Sequence, residues 1–445
     1  MMETSGVLQI GPNITAIPVV HGSGDFAWAV RQAMLSASFD CLAVPLPESF
    51  QAPVEEAIFD FPTPGMIVQP DFGVSSYGSS FDSNWDGDED NSDDSPKIGA
   101  SYVPIDPCQP VIAAIRTAMG ERLPIKFIDL ETSHFEPCSV TLPDAFALKQ
   151  VTIQQYAASV LPFLQRPVSE QWARRTAHMA HRLRELSVDY KKILLVTSVL
   201  DWPWIRQSFQ NAELERFEHQ PVYDAQRFSV EQDSLYFLMG EIPFITGLYE
   251  RARANLESDD KLSIDGVKEL LISARSSYRV EFGSRARKIT PRTLAICLIY
   301  IRNLTLIDSR LSPQLITIVN ACKQIVGDGY ALSVLKQAKE YSYDSETGLG
   351  KVRMGIGQAS FPDGEIKSMA SRLPGPPIQW SQLNLVPKPD RLTKDQWQQK
   401  WNPFSQCSWP PEDVIIENFR QTVFDRALET MGAELAKTEK FTTSG

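Results

Sequence analysis

His21 closes an apolar run of strand type, Ala16-Ile-Pro-Val-Val20, and opens a two-glycine turn, Gly22-Ser-Gly24-Asp25. A stretch of helical period follows from Phe26 to Leu35. In open α/β sheets ligands bind at the carboxyl ends of strands, and an imidazole there can act as acid, base or ligand. Gly22 and Gly24 would let a ligand approach the backbone. The helix that follows would offer its positive end to an anion, and Asp25 stands beside it as a further acid–base group. A second strand-like run, Pro124-Ile-Lys-Phe-Ile128, ends in Asp129, with Glu131 two residues on. These carboxylates could hold water, a metal or a proton, or they could cap the next helix. His21 likewise has an alternative, as a turn residue capping the helix after it. The spacing G-x-G lacks a third glycine and no Lys-Ser/Thr follows, so it is neither a dinucleotide fingerprint nor a P-loop.

Other chemistry-bearing residues are weaker signals. His178 and His181 are spaced i, i+3 on a helical pattern, a possible metal pair with no acidic third ligand nearby in sequence. Asp82-Ser-Asn84-Trp-Asp86-Gly87, with Asp93 at loop position twelve, partly matches a calcium loop; a solvated acidic insertion is the alternative. No G-x-S-x-G, H-E-x-x-H or C-x-x-C occurs. The expectation is therefore no metal and no cofactor.

The elements that position these groups follow from patterning. The chain has 445 residues and six scattered cysteines, with Cys41 and Cys297 in apolar runs suited to buried thiols. Cysteine usage of this kind and the lack of a signal-peptide pattern suggest a cytoplasmic protein. The net charge of −12 argues against a nucleic-acid partner. The apolar runs are too short for a membrane span. Residues 10–210 alternate strand and helix patterns: Ile14–Val20, Asp25–Ala37, Asp40–Val44, Gly65–Val68, Pro107–Met119, Pro124–Asp129, Ser169–Leu186 and Ile193–Leu200. This predicts an α/β domain with a mainly parallel sheet layered with helices. Residues 72–99 read as a disordered acidic insertion. Residues 230–343 predict an all-helical domain, whose Arg275, Arg279, Arg285, Arg287, Lys288 and Arg292 gather around one loop. That cluster suits a solvated loop or an acidic partner. Residues 350–445 predict an irregular or small β region ending in a helix at 412–435. The chain is also expected to continue past Gly445 in the native protein.

Four segments together resemble a known family: His21-Gly-Ser-Gly24 with its helix; Tyr102-Val-Pro-Ile-Asp106 leading to Ile125-Lys-Phe-Ile-Asp129-Leu130; Arg175-Thr-Ala-His178-Met-Ala180; and Val196-Thr-Ser-Val-Leu-Asp201-Trp-Pro203. They are similar to an uncharacterised bacterial family often encoded beside MoxR-type ATPases and von Willebrand A proteins. That family is distantly similar to TraB/PrgY, Tiki, ChaN and erythromycin esterase proteins. The helical stretch from Glu269 to Lys339 is similar to its helical region, so the resemblance spans roughly residues 10–340. It implies a TraB/erythromycin-esterase-like fold whose Glu and His residues form the proposed metal or acid–base site. Here Pro45 stands where the family has a Glu, Thr176 follows Arg175 where it has Arg-Glu, and Asp201 falls at a His position. Asp201 joins the candidate set as a metal or proton ligand, Glu48 as a carboxylate that could stand in for the one Pro45 lacks, and Arg175 as a ligand-binding group.

Two functions follow as expectations. The first is a catalytically degenerate hydrolase-like fold acting as a protein-binding or scaffolding module, with a MoxR-type ATPase or von Willebrand A protein as the partner the resemblance implies. The alternative is a metal-assisted hydrolase, esterase or peptidase in type, with a rearranged site built from His21, Asp25, Glu48, Asp129 and Asp201. Convergence of those groups within hydrogen-bond reach would favour the second.

Overall fold

The computed structural model describes residues 8–74, 98–138, 140–211, 216–254, 265–343 and 348–376, with Leu383 and Leu385. The chain divides into two compact units, Met1–Glu250 with Tyr341–Ile378, and Arg251–Glu340 with Gln379–Gly445. The first is mixed α/β; the described part of the second is helical.

The first unit begins with β1 (Gln9–Ile10), β2 (Ile14–Val19), α1 (Gly24–Ser36), β3 (Cys41–Pro47) and α2 (Gln51–Phe59). β4 (Gly65–Val74), β5 (Ile98–Ile105), α3 (Pro110–Gly120) and β6 (Ile125–Asp129) follow. Then come α4 (Ile153–Val160), α5 (Glu170–Asp189), β7 (Ile193–Ser198), α6 (Trp202–Gln210), β8 (Gln226–Val230), α7 (Leu235–Leu238) and α8 (Pro243–Ala254). One sheet has the order β1-β2-β7-β3-β6. β2, β7, β3 and β6 run parallel, and β1 is an antiparallel edge.

β7 shows why both faces of this sheet are covered. Its Leu194 and Val196 enter a core with Phe26 and Val30 of α1 and Val111 and Ile115 of α3. Its Ile193 and Leu195 face Met179, Ala180 and Leu183 of α5 and Trp202 and Ile205 of α6. An unbroken apolar run is what a parallel strand buried on both sides requires. Ser169 caps α5 by accepting the Trp172 N–H at 3.2 Å. Ser169→Ala should cost about 1 kcal/mol, read as a lower urea midpoint.

The expected third strand of the sheet lies elsewhere. β4 pairs antiparallel with β5 and β8, and these three join β9 (Lys351–Met354), β10 (Gln358–Ser360) and β11 (Ile366–Ser371) in a closed barrel. Met66, Val68, Val230, Val352, Phe361 and Met369 pack together in its core, while Ile67 of β4 turns to the core that β7 shares with α1 and α3. Side chains of a strand alternate between faces, so one strand serves both cores. Part of the region past 350 that was expected to be irregular or small β is therefore barrel strand. The ends of the expected acidic insertion, 72–74 and 98–99, are strand as well; its middle, the calcium-like loop with it, lies outside the described residues.

The second unit's helices are α9 (Gly266–Phe282), α10 (Pro291–Ile307), α11 (Leu315–Ile325) and α12 (Asp328–Lys339). Asp265 and Thr290 cap α9 and α10. The boundary falls between Glu250 and Arg251, so of the segment 230–343 that was expected to be helical, Val230 ends a barrel strand, and α7, most of α8 and residues from Tyr341 on belong to the first unit. Arg287 of the basic cluster donates to the Ile325 and Val326 carbonyls at the end of α11. It satisfies carbonyls that a helix terminus leaves open. The expected helix at 412–435 lies outside the described residues.

Candidate functional site

Parallel strands send their carboxyl ends to one edge, so the residues after β2, β3, β6 and β7 share an edge. His21 follows β2, Glu48 follows β3, Asp129 ends β6 and Asp201 follows β7. β7 and β3 intervene between β2 and β6. At the usual strand spacing that separates the β2 and β6 ends by ~14 Å. The polar groups accordingly form two networks.

The first network surrounds β6 and β7. Arg175 grips Asp129 in a fork: Nε lies 3.1 and 3.0 Å from the two carboxylate oxygens, and Nη2 is 2.5 Å from Oδ2. Both side chains are buried. The Leu130 N–H also donates to Asp129. Arg175 is driven to this geometry because burial would otherwise disfavour its charge, and Asp129 more than restores it. Asp201 is half-buried and accepts the Trp172 Nε1–H at 2.7 Å. Burial pushes its carboxyl up to about 6, against the pull of Arg175 and Trp172. Glu48 is exposed; the next residue, Ser49, donates from N and Oγ to Glu131 at 2.7 and 2.9 Å.

Arg372, just past β11, joins this network from the barrel. It donates from Nε to Ser101 Oγ and from Nη2 to Gln69 Oε1, both at 3.0 Å. Gln69 in turn donates to Ser49 Oγ. The Phe135 ring lies 4.7 Å from the Arg175 guanidinium and 4.9 Å from that of Arg372. Arg372 is 3% exposed, and burial pushes it down to about 10, with Asp129, Glu131 and Asp71 opposing. No sequence signal marked Arg372, because it follows a strand whose partner is β5, far away in the chain.

The second network surrounds His21. The imidazole Nδ1–H donates to Gln109 Oε1 at 3.1 Å. The ring is buried, and burial pushes it down to about 4, with the Gln109 bond opposing. His21 is therefore neutral near neutral pH. The helix cap is Ser23, which accepts the Phe26 N–H. Gly22 takes φ +71°, where a side chain would be strained. Its backbone meets that of Gly240: a Cβ on Gly240 would lie 2.1 Å from the Gly22 Cα. A Cβ on Gly375 would lie 3.2 Å from the His21 carbonyl oxygen. The Gly24 N–H, in the first turn of α1, donates to Glu241 Oε1 at 3.1 Å. The chain's own carboxyl thus takes the helix-end position expected for an outside anion. Asp25 lies 3.9 Å from Lys149.

The structure therefore brings Asp129, Arg175 and Asp201 together, and keeps His21, Gly22, Gly24 and Asp25 in a separate network. His178 and His181 do not pair: His178 stacks edge-on against His219 at 4.9 Å, and His181 meets Glu185. Thr176 hydrogen-bonds within its own helix. Among the described residues, no three His, Cys, Asp or Glu side chains are grouped to hold a metal, and no helix is long and apolar enough to cross a membrane. Cys41 and Cys297 are buried free thiols. Gln109 and Glu241 escaped the sequence reading; neither sits in a motif, and only the fold brings them to the β2 turn.

No family model, curated protein or solved structure matches the chain.

Proposed function

We propose that this chain is a binding or scaffolding module built on a hydrolase-like α/β fold that has lost its chemistry. The observation that carries the reading is the internal saturation of the candidate groups. Asp129 is neutralised by Arg175, Asp201 accepts from Trp172, and the buried His21 donates to Gln109. General acid–base chemistry needs such groups turned toward a shared substrate position, and His21 belongs to a different network from Asp129 and Asp201. The partner we propose is a protein, a MoxR-type ATPase or a von Willebrand A protein, as the family resemblance implies.

The purified protein should carry no stoichiometric zinc or manganese and should show no esterase or peptidase activity that His21→Ala abolishes. Sedimentation of the chain mixed with a MoxR-type ATPase or von Willebrand A protein from the same source should give a complex. Bound metal, or a hydrolysis lost with His21, would reverse the reading in favour of the hydrolase. One observation gives that alternative its footing: Asp201, held near 6, titrates in a range suited to acid–base work and lies in the same network as Asp129 and Arg175.

A further inference from the structure

Four carboxyl groups gather around the crossing of Gly22 and Gly240. Asp25 comes from α1, Asp106 from the turn before α3, Glu241 from the loop before α8, and Glu250 from α8. Among the described residues, two cations answer them. Arg116 of α3 is 2.8 Å from Glu250, and Lys149 is 3.9 Å from Asp25. Asp106 and Glu241 are held instead by backbone N–H groups. Asp106 accepts from Gly240 at 3.0 Å and from Cys108 at 2.9 Å, and Glu241 accepts from Gly24 at 3.1 Å. The Gly240 and Gly24 bonds tie the 239–241 loop to turns more than 100 residues away in the chain. The other titratable groups around the crossing among the described residues are Asp144, whose charge raises Asp25, the neutral His21, the Cys108 thiol, and the Tyr249 and Tyr341 phenols. None of these supplies a positive charge.

We infer that the 239–241 loop is a pH-governed closure over the β2 turn, held shut while Glu241 is protonated and released when that carboxyl ionises. A neutral carboxyl still offers its carbonyl oxygen to the Gly24 N–H. An ionised one adds a charge beside Asp25 and Asp106 in a crowded, partly buried place. Burial, with Asp25 and Asp106 adding to it, pushes Glu241 up to about 7, against the pull of Gly24 and Lys149. The sign follows from linkage. A carboxyl raised in the folded state favours the closed form most below its ordinary pKa, and that advantage is lost as pH rises through about 7. The closure is a property of the β2 turn and stands whether or not a protein partner binds.

The test is amide hydrogen exchange of the whole chain between pH 5.5 and 8.5, corrected for the intrinsic rate and referred to the amides of β7. In the wild type, protection at residues 22–27 and 239–242 should fall by about tenfold or more across this range. Glu241→Gln keeps a carbonyl acceptor and cannot ionise, so its protection should stay within about twofold. Asp25→Asn removes a neighbouring charge and should move the wild-type midpoint to higher pH if the closure depends on Lys149 through Asp25, and to lower pH if direct repulsion governs; direct repulsion requires the second, so a rightward shift would overturn the account. Gly240→Ala should open the crossing already at pH 5.5. Unchanged wild-type protection across the range, or an equal loss in Glu241→Gln, would overturn the inference. The wild-type profile decides on its own should Glu241→Gln not fold.

Discussion

Arg175→Ala should destabilise the protein by about 3–5 kcal/mol, because it leaves the buried Asp129 carboxylate without its cation. The bond is a two-pronged fork between a planar guanidinium and a carboxylate, with both partners almost free of solvent. Lysine could not reproduce it, being a single point charge without the fork, so Arg175→Lys should also lose stability. Truncation would further strip a cation from the Phe135 ring. The paired replacement Asp129→Asn with Arg175→Met should recover much of the loss, since removing both charges removes the desolvation cost along with the attraction. Urea midpoints of Asp129→Asn, Arg175→Met and the double variant close the cycle. A loss under 1 kcal/mol in Arg175→Ala would mean that Asp129 reaches water or another cation.

The same residues explain what could be read in advance. β2, β3, β6 and β7 announce themselves as short apolar runs because each is buried on both faces. α5 and α10 announce themselves by caps and periodicity. The barrel was hidden because its pairings are non-local. β11 joins β5 across more than 250 residues, and β4 joins β8 across about 160, and such partnerships leave no local period. Gly65–Val68 was recognisable as a strand, but nothing in four apolar or small residues says which sheet they enter. At the site, Asp129 was visible as a strand-end carboxylate, and Asp201 through the family resemblance alone. That Asp129 is spent on Arg175 was not, since the pair spans 46 positions. Glu241 and Arg372 carried no signal at all, because each acquires its role from a turn or a strand that only folding delivers. Sequence reading therefore found groups able to do chemistry, and the fold reveals that several are engaged in holding it together.

Trp172 offers the second large effect. Its side chain is 2% exposed and fills the space beside α6, edge-on to Trp204. Trp172→Ala should cost about 3–5 kcal/mol through the cavity alone. Trp172→Phe separates packing from polarity: it keeps most of the ring and drops the N–H that Asp201 accepts at 2.7 Å. That change should cost about 1–3 kcal/mol where Asp201 is ionised, and the cost should depend on pH. Asp201 is raised to about 6 by burial, so its folded-state advantage is complete below the ordinary carboxyl range and is lost as pH rises through about 6. The indole N–H favours the ionised form, so its removal raises the Asp201 carboxyl further and deepens the loss on the alkaline side. At pH 5 the carboxyl is mostly neutral with or without the indole, and the difference between wild type and Trp172→Phe should shrink toward the packing term. Urea denaturation at pH 5 and pH 8 measures both. A penalty equal at the two values would mean that Asp201 does not titrate between them, and with it would go the footing of Asp201 as an acid–base group.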